Sequence, residues 1–219
     1  MPWPSPRTRG PLAFYVTDRR AFASGEPRDT SLLLDTIARA SAAGVHAIQL
    51  REKDLSSRAL LELTQAALSC ASHSKILVND RLDVALAAGA SGVHLGEQSI
   101  AVADVVSLRA AGRAPADFAI GRSCHSLEEV SDAERAGADY VFFGPVFATP
   151  SKAKLGPPQG AETLAAVCRA ARIPVVAIGG ITVENAAACL AAGAAGIAAI
   201  RLFQEAADLT AVVRALQEL

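Results

Sequence analysis

A chain of 219 residues with a formal net charge of −1 carries no cationic excess with which to bind nucleic acid or an anionic membrane surface. It is 51% hydrophobic but only 5% aromatic, so one large core of small side chains is within reach, and no apolar run is long enough to cross a membrane. Cys70, Cys124, Cys168 and Cys189 stand far apart with no Cys-x-x-Cys pair, which argues against a zinc site or a disulfide framework and makes a reducing, cytoplasmic setting the expectation.

Residues 1–11 hold four prolines and no apolar stretch; they read as a flexible tail rather than a secretory signal, with 12–219 as a single domain. A first apolar run, Ala13–Val16, is short enough for a buried strand. From Ala42 the sequence AAGVHAIQL joins a small-residue helix end to a second run. Helical periodicity then covers Ser57–Ser72, and Ile76–Val78 is a third apolar run. A helix over Arg81–Ala88 leads into AAGASGVHLG from Ala87, and Phe118–Ile120 follows. Leu127–Ala136 is helical, RAGADYVFFG starts at Arg135, Val175–Ile178 comes next, and a helix begins near Thr182. AAGAAGIAAI from Ala191 closes the series. Gly44, Gly89, Gly137 and Gly193 occupy the same place in the recurring unit, where a helix end calls for a left-handed residue. Eight strands alternating with eight helices, each strand short and continuously apolar, predict a parallel sheet buried on both faces. The expected fold is α/β, a single (β/α)8 barrel. An open doubly wound sheet is the alternative, but no Gly-x-Gly-x-x-Gly follows the first strand.

Active sites of such barrels lie at the C-terminal strand ends, and here nearly all those ends are polar. Gln49, Arg51 and Lys53 share one face if the second strand keeps its period of two; an amide, a guanidinium and an ammonium suit a diphosphate. Asn79-Asp80 could hold a Mg²⁺ that also touches phosphate, or Asp80 could cap the next helix. His94 is either a core residue or part of the site. In Gly121–Ser126, His125 lies beside Ser123 and Ser126 and has the better claim to proton transfer, while Cys124 alternates away and should pack. His46 and His73 carry no assigned role. The sixth connection, with Thr149, Ser151, Lys152 and Lys154 among prolines, suits a phosphate-binding lid or a solvated loop. Gly179-Gly180 would let backbone N–H groups reach an anion beside a helix start. The sum is two anion-binding regions and two phosphorylated small-molecule substrates. Homo-oligomerisation stays open.

QLREKD, LVNDRLDVALAAGASGVHLG, Ser123-Cys124-His125-Ser126 with Leu127-Glu128-Glu129, GADYVFFGPVFATPSK and IPVVAIGGIT resemble the thiamine phosphate synthase family and its relatives, the thiazole tautomerases. The resemblance runs from about Phe14 to Phe203. It implies a transferase that joins hydroxymethylpyrimidine diphosphate to thiazole phosphate and releases pyrophosphate, with Mg²⁺ as cofactor. On the matching positions, Gln49, Arg51, Lys53, Asn79 and Lys152 would hold the diphosphate and Asp80 the metal. Ser123 would face the pyrimidine; Thr149, Ser151 and Gly180 would hold the thiazole phosphate. Two positions depart from the synthase pattern. Ser99 stands where a second metal-binding Asp is usual, leaving Glu97 as a candidate ligand, and Ile200-Arg201 replaces a common Val-Ser, making Arg201 a candidate phosphate ligand. The tautomerase alternative, an isomerase acting on a thiazole phosphate carboxylate, would use His125 as acid and base. A non-catalytic phosphate-binding barrel is the remote third reading.

Overall fold

The computed structural model describes residues 10–22, 30–149 and 157–219. Eight parallel strands close into a barrel in sequence order. They are β1 Leu12–Val16, β2 Ala47–Leu50, β3 Lys75–Asn79, β4 Gly92–Leu95, β5 Ala119–Cys124, β6 Tyr140–Phe143, β7 Val175–Ile178 and β8 Gly196–Ala199. The first seven are each followed by a helix: α1 Ser31–Ala42, α2 Ser57–Cys70, α3 Leu82–Ala88, α4 Val102–Ala110, α5 Leu127–Arg135, α6 Gly160–Ala170 and α7 Val183–Ala191. Gly44, Gly89, Gly137 and Gly193 all have positive φ, as the recurring helix ends require.

Strict alternation fails where the barrel closes. A 3-10 turn, Arg19–Ala21, stands between β1 and α1, and two helices, α8 Arg201–Gln204 and α9 Leu209–Gln217, follow β8. The second of these starts where Asp208 accepts a hydrogen bond from the Ala211 N–H, an N-cap that divides the segment. Strand β5 also runs on past Ile120. Arg122 breaks the apolar pattern without ending the strand, because its guanidinium donates to the Gly96 carbonyl oxygen.

Inside the barrel, Leu12, Phe14, Val16, Ala47, Leu77, Ala119, Tyr140, Phe142, Val176 and Ala198 form one buried cluster, separate from the larger layer between strands and helices. Three rings fill it: the Phe14 centroid lies 5.3 Å from Tyr140 and 5.1 Å from Phe142, the latter edge to face. Gly121 makes room for them, since a Cβ there would fall 2.2 Å from the Tyr140 ring and 2.6 Å from His94 Nδ1. Two residues further along the same inward faces stand Gln49 after Ala47, Asn79 after Leu77, and Ser123 after Gly121. The apolar plug therefore lies beneath a polar layer at the mouth.

Candidate active site

The mouth is framed on one side by β8, β1 and β2. Arg19 is 8% exposed and Glu52 4%. The Arg19 guanidinium donates to Glu52 at 2.9 Å and, through both terminal nitrogens, to the Asp54 carboxylate at 2.8 Å each. Glu52 also receives the Thr17 hydroxyl at 2.6 Å and the Arg19 backbone N–H, while the Thr17 oxygen accepts from the Arg51 N–H at 3.0 Å. Glu52 and Asp54 thus face a buried cation, and the alternating Arg51 and Lys53 face the opening. Gln204 ties α8 to the same frame, its side chain accepting from the Asp18 N–H (2.9 Å) and donating to the Asp18 carbonyl (3.0 Å). Arg20, Arg51, Lys53 and Arg201 line one cavity of about 460 Å³. Arg19 and Gln204 were missed from sequence. The signal was there in Glu52 and Asp54, two carboxylates on the face opposite Arg51 and Lys53, which need a cation when buried.

Gln49 does not join that cavity, contrary to the shared face expected of it. It is 2% exposed inside the barrel, because β2 ends at Leu50 and Arg51 and Lys53 stand on the loop beyond it. Its Nε2 donates to Asn79 Oδ1 at 2.8 Å, and Asn79 Nδ2 donates to Asp80 Oδ2 at 2.7 Å. The carboxylate can only accept, so it fixes the orientation of both amides. Gln49 Oε1 is left buried without a hydrogen-bond partner among the described residues. Such an acceptor is costly unless a ligand supplies a donor.

Asp80 is no helix cap. Its backbone adopts φ 62°, a conformation sparsely used outside glycine and frequent at functional sites. The other carboxylate oxygen accepts from the Gly96 N–H at 3.0 Å and from the Ser99 hydroxyl. Burial pushes the Asp80 carboxyl upward, but the bonds from Ser99 and Gly96, the Lys53 charge and the Asn79 bond outweigh it and hold the group below its ordinary value. Ser99 thus binds Asp80 directly. Glu97 is exposed, and no group of three or more His, Cys, Asp or Glu side chains that could hold a metal occurs among the described residues. A donor set of one carboxylate and one hydroxyl still fits Mg²⁺, an ion that keeps several waters and takes further oxygens from phosphate.

His94 belongs to both readings offered for it. It is 1% exposed and packs on Phe142 at 4.2 Å between centroids, yet its Nε2 lies 2.9 Å from Ser123 Oγ and its Nδ1 3.1 Å from the Tyr140 hydroxyl. Burial keeps Tyr140 protonated. Cys124 packs as expected, its thiol pushed up to about 12 by burial. His125 is half-buried, and its Nδ1 meets the Gly144 carbonyl oxygen. A carbonyl oxygen can only accept, so the Nδ1 in this contact carries a proton.

On the opposite side, Gly179 and Gly180 have φ 98° and 66°. A Cβ on Gly180 would fall 2.5 Å from the Ala148 carbonyl oxygen, and Val146 and Phe147 donate backbone bonds to Ile178 (2.9 Å) and Gly179 (3.0 Å). The glycines are needed first because the sixth connection lies on them. The Gly180 N–H has no partner among the described residues, and Thr182 and Asn185 form a capping box at the start of α7. Thr149 is half-buried; Ser151 and Lys152 lie outside the described residues.

A family model described as thiamine monophosphate synthase matches residues 15–203, which takes in every strand end described above. The chain belongs to the thiamine monophosphate synthase family. It is 44% identical over 217 residues to the thiamine-phosphate synthase of Roseiflexus castenholzii, covering 98% of this chain and 90% of that protein. Over 187 residues it is 44% identical to the thiamine-phosphate synthase of Anaeromyxobacter dehalogenans, covering 84% and 82%. Among solved structures, thiamine phosphate pyrophosphorylase from Pyrococcus furiosus is 33% identical, with a TM-score of 0.79 and 96% of both chains covered.

Proposed function

We propose that this chain is a thiamine-phosphate synthase, a transferase that joins hydroxymethylpyrimidine diphosphate to thiazole phosphate with release of pyrophosphate. Membership of the family supports the activity, and the observation that carries the site assignment is the buried, unpartnered Gln49 Oε1 above the aromatic plug. A carbonyl oxygen repels a diphosphate and attracts an amino N–H. Gln49 therefore accepts from the amino group of the pyrimidine rather than holding the diphosphate. When Tyr140 donates to His94 Nδ1, the Nε2–H points at Ser123 Oγ, and the serine's own proton is released toward a ring nitrogen of the same base. An acceptor and a donor match the two polar edges of an aminopyrimidine.

The reaction then follows from charge placement. The exocyclic amino group feeds electron density to the carbon that loses pyrophosphate, and Gln49 Oε1 favours the positive charge that develops on the amino N–H. Arg51 and Lys53, with Asn79 and Lys152, neutralise the departing oxygens. Asp80, with Ser99 beside it, would hold Mg²⁺, which supplies positive charge to the leaving group; Glu97 is the remaining candidate ligand. Thr149, Ser151 and the Gly180 N–H hold the thiazole phosphate so that its ring nitrogen faces the carbon. No protein nucleophile is needed. Four free cysteines suit a reducing cytoplasm, and no described helix is long and apolar enough to cross a membrane.

One observation favours a second reading. The His125 Nδ1 contact with Gly144 leaves Nε2 outside that bond, and in the neutral imidazole this nitrogen could take a proton from carbon, the chemistry of the thiazole tautomerases. Incubation with both substrates and Mg²⁺, assayed for pyrophosphate, separates the two. Pyrophosphate release supports the synthase; thiazole isomerisation without it overturns the first reading in favour of the second.

A further inference from the structure

We infer that Arg201 is a further cation of the diphosphate clamp, reaching the leaving pyrophosphate from α8 across the cavity from Arg51 and Lys53. The inference rests on the proposed function and reassigns Arg201 from the thiazole phosphate to the other substrate.

Arg201 lines the same cavity as Arg20, Arg51 and Lys53. Strand order explains why, since β8 lies against β1 and β1 against β2, so the residue after β8 meets the loop after β2 across a single intervening strand. The placement is tied at both ends. Gln204 grips the Asp18 backbone through two hydrogen bonds, and Thr17 grips the Arg51 N–H. Arg201 and Arg51 are therefore held on one continuous hydrogen-bonded frame.

Charge in the cavity favours a polyanion. Two of the three acids there, Glu52 and Asp54, are bonded to the buried Arg19, while Asp18 accepts from the Arg20 N–H. Arg201 itself meets Glu205 at 3.6 Å, with both side chains more than half exposed. So exposed and long a pair is weak, and exchanging it for a phosphate oxygen costs little. A guanidinium fork can take two oxygens of one phosphate at once. The same cation compensates for a sparse metal site. Ser99, a neutral hydroxyl, is the group hydrogen-bonded to Asp80, so little negative charge gathers there to hold a divalent ion, and the protein's own cations carry more of the leaving-group charge.

The test is calorimetric titration with inorganic pyrophosphate in EDTA, so that only protein cations contribute. Wild type should bind, Arg201→Ala should bind about tenfold or more weakly, and Arg201→Lys should fall between. Thiazole phosphate binding should be the same in all three. Thermal melts confirm that the variants fold. No metal-free pyrophosphate binding by wild type, equal binding by Arg201→Ala, or a loss on the thiazole phosphate instead, would each overturn the inference. Failure of the proposed function looks different: pyrophosphate binding stays dependent on Arg201, but no pyrophosphate is released on incubation with both substrates.

Discussion

On the β8–β1–β2 side of the mouth, the loops are tied by side chains: Arg19 to Glu52 and Asp54, Thr17 to Glu52, Gln204 to Asp18. On the β6–β7 side the ties are backbone bonds from Val146 and Phe147, laid on two glycines. The first construction aims charges; the second brings main chain close enough to present an N–H. Each has its own weakness. A wall of ion pairs fails when one charge is removed, and a wall of close backbone fails when one Cβ is added.

The largest effect expected from this contrast is that of Arg19→Ala. It leaves Glu52, whose side chain is 1% exposed, without its buried partner, and breaking such a pair costs about 3–5 kcal/mol. Urea unfolding should register a loss of that size. Arg19→Met, which keeps the volume, should be as destabilising, because the stranded carboxylate is the cause. If the methionine variant is as stable as wild type, the frame is held by packing.

Lys53→Ala comes next, touching the purpose of that wall rather than its stability. Loss of a charge-assisted contact of about 1.5–3 kcal/mol should weaken pyrimidine diphosphate roughly tenfold or more and leave thiazole phosphate binding unchanged. An equal loss for both ligands would mean that the two walls do not divide the substrates.

On the other wall, Gly180→Ala forces a side chain into a left-handed conformation and against the Ala148 carbonyl oxygen. A cost of about 1–3 kcal/mol is expected, and thiazole phosphate binding should weaken while pyrimidine diphosphate binding holds. The reciprocal pattern to Lys53→Ala is the point of the measurement.

Acid should separate the walls more gently. The Arg19 hydrogen bond holds the Asp54 carboxyl below its ordinary value. A carboxyl depressed in the folded state contributes stability that is complete above its unfolded pKa, about 3.9, and lost as pH falls through the folded value. Wild type should therefore lose stability below about pH 4, and Asp54→Asn should lose less of it over the same range. Identical acid profiles would remove Asp54 from the frame.

The two walls also differ in how far sequence discloses them. The barrel was legible because eight apolar runs alternate with helical segments and four helix-end glycines recur in matching contexts, and the strand ends named most polar groups at the mouth. What the residues could not disclose was partnership across strands. Gln49, Arg51 and Lys53 look like one ligand set in a line of text, yet the strand stops at Leu50, and Gln49 is turned by Asn79 and Asp80 into an acceptor. Gly179-Gly180 reads as an anion site, but its first duty is to admit the Ala148 carbonyl. Arg201 looked like a residue of the seventh and eighth strands until barrel closure set it beside the second.

The smallest effect expected is at His125, which directly follows β5 and touches Gly144, the residue after β6, beside the backbone-built wall. In a synthase driven by departure of pyrophosphate, no proton need be taken from carbon, and the imidazole serves to tie β5 to β6. His125→Ala should then lower pyrophosphate release by less than about tenfold, well short of the 10²–10⁴-fold that a general base contributes. His125→Asn tests the tie directly, since an amide N–H can still donate to the Gly144 carbonyl but cannot act as a base near neutral pH. If asparagine restores what alanine loses, the residue positions the strand end. If both variants lose pyrophosphate release by a hundredfold or more, proton transfer is part of the reaction and the imidazole belongs to its chemistry. The same pair of variants, assayed for thiazole isomerisation, would then show whether that proton is taken from carbon.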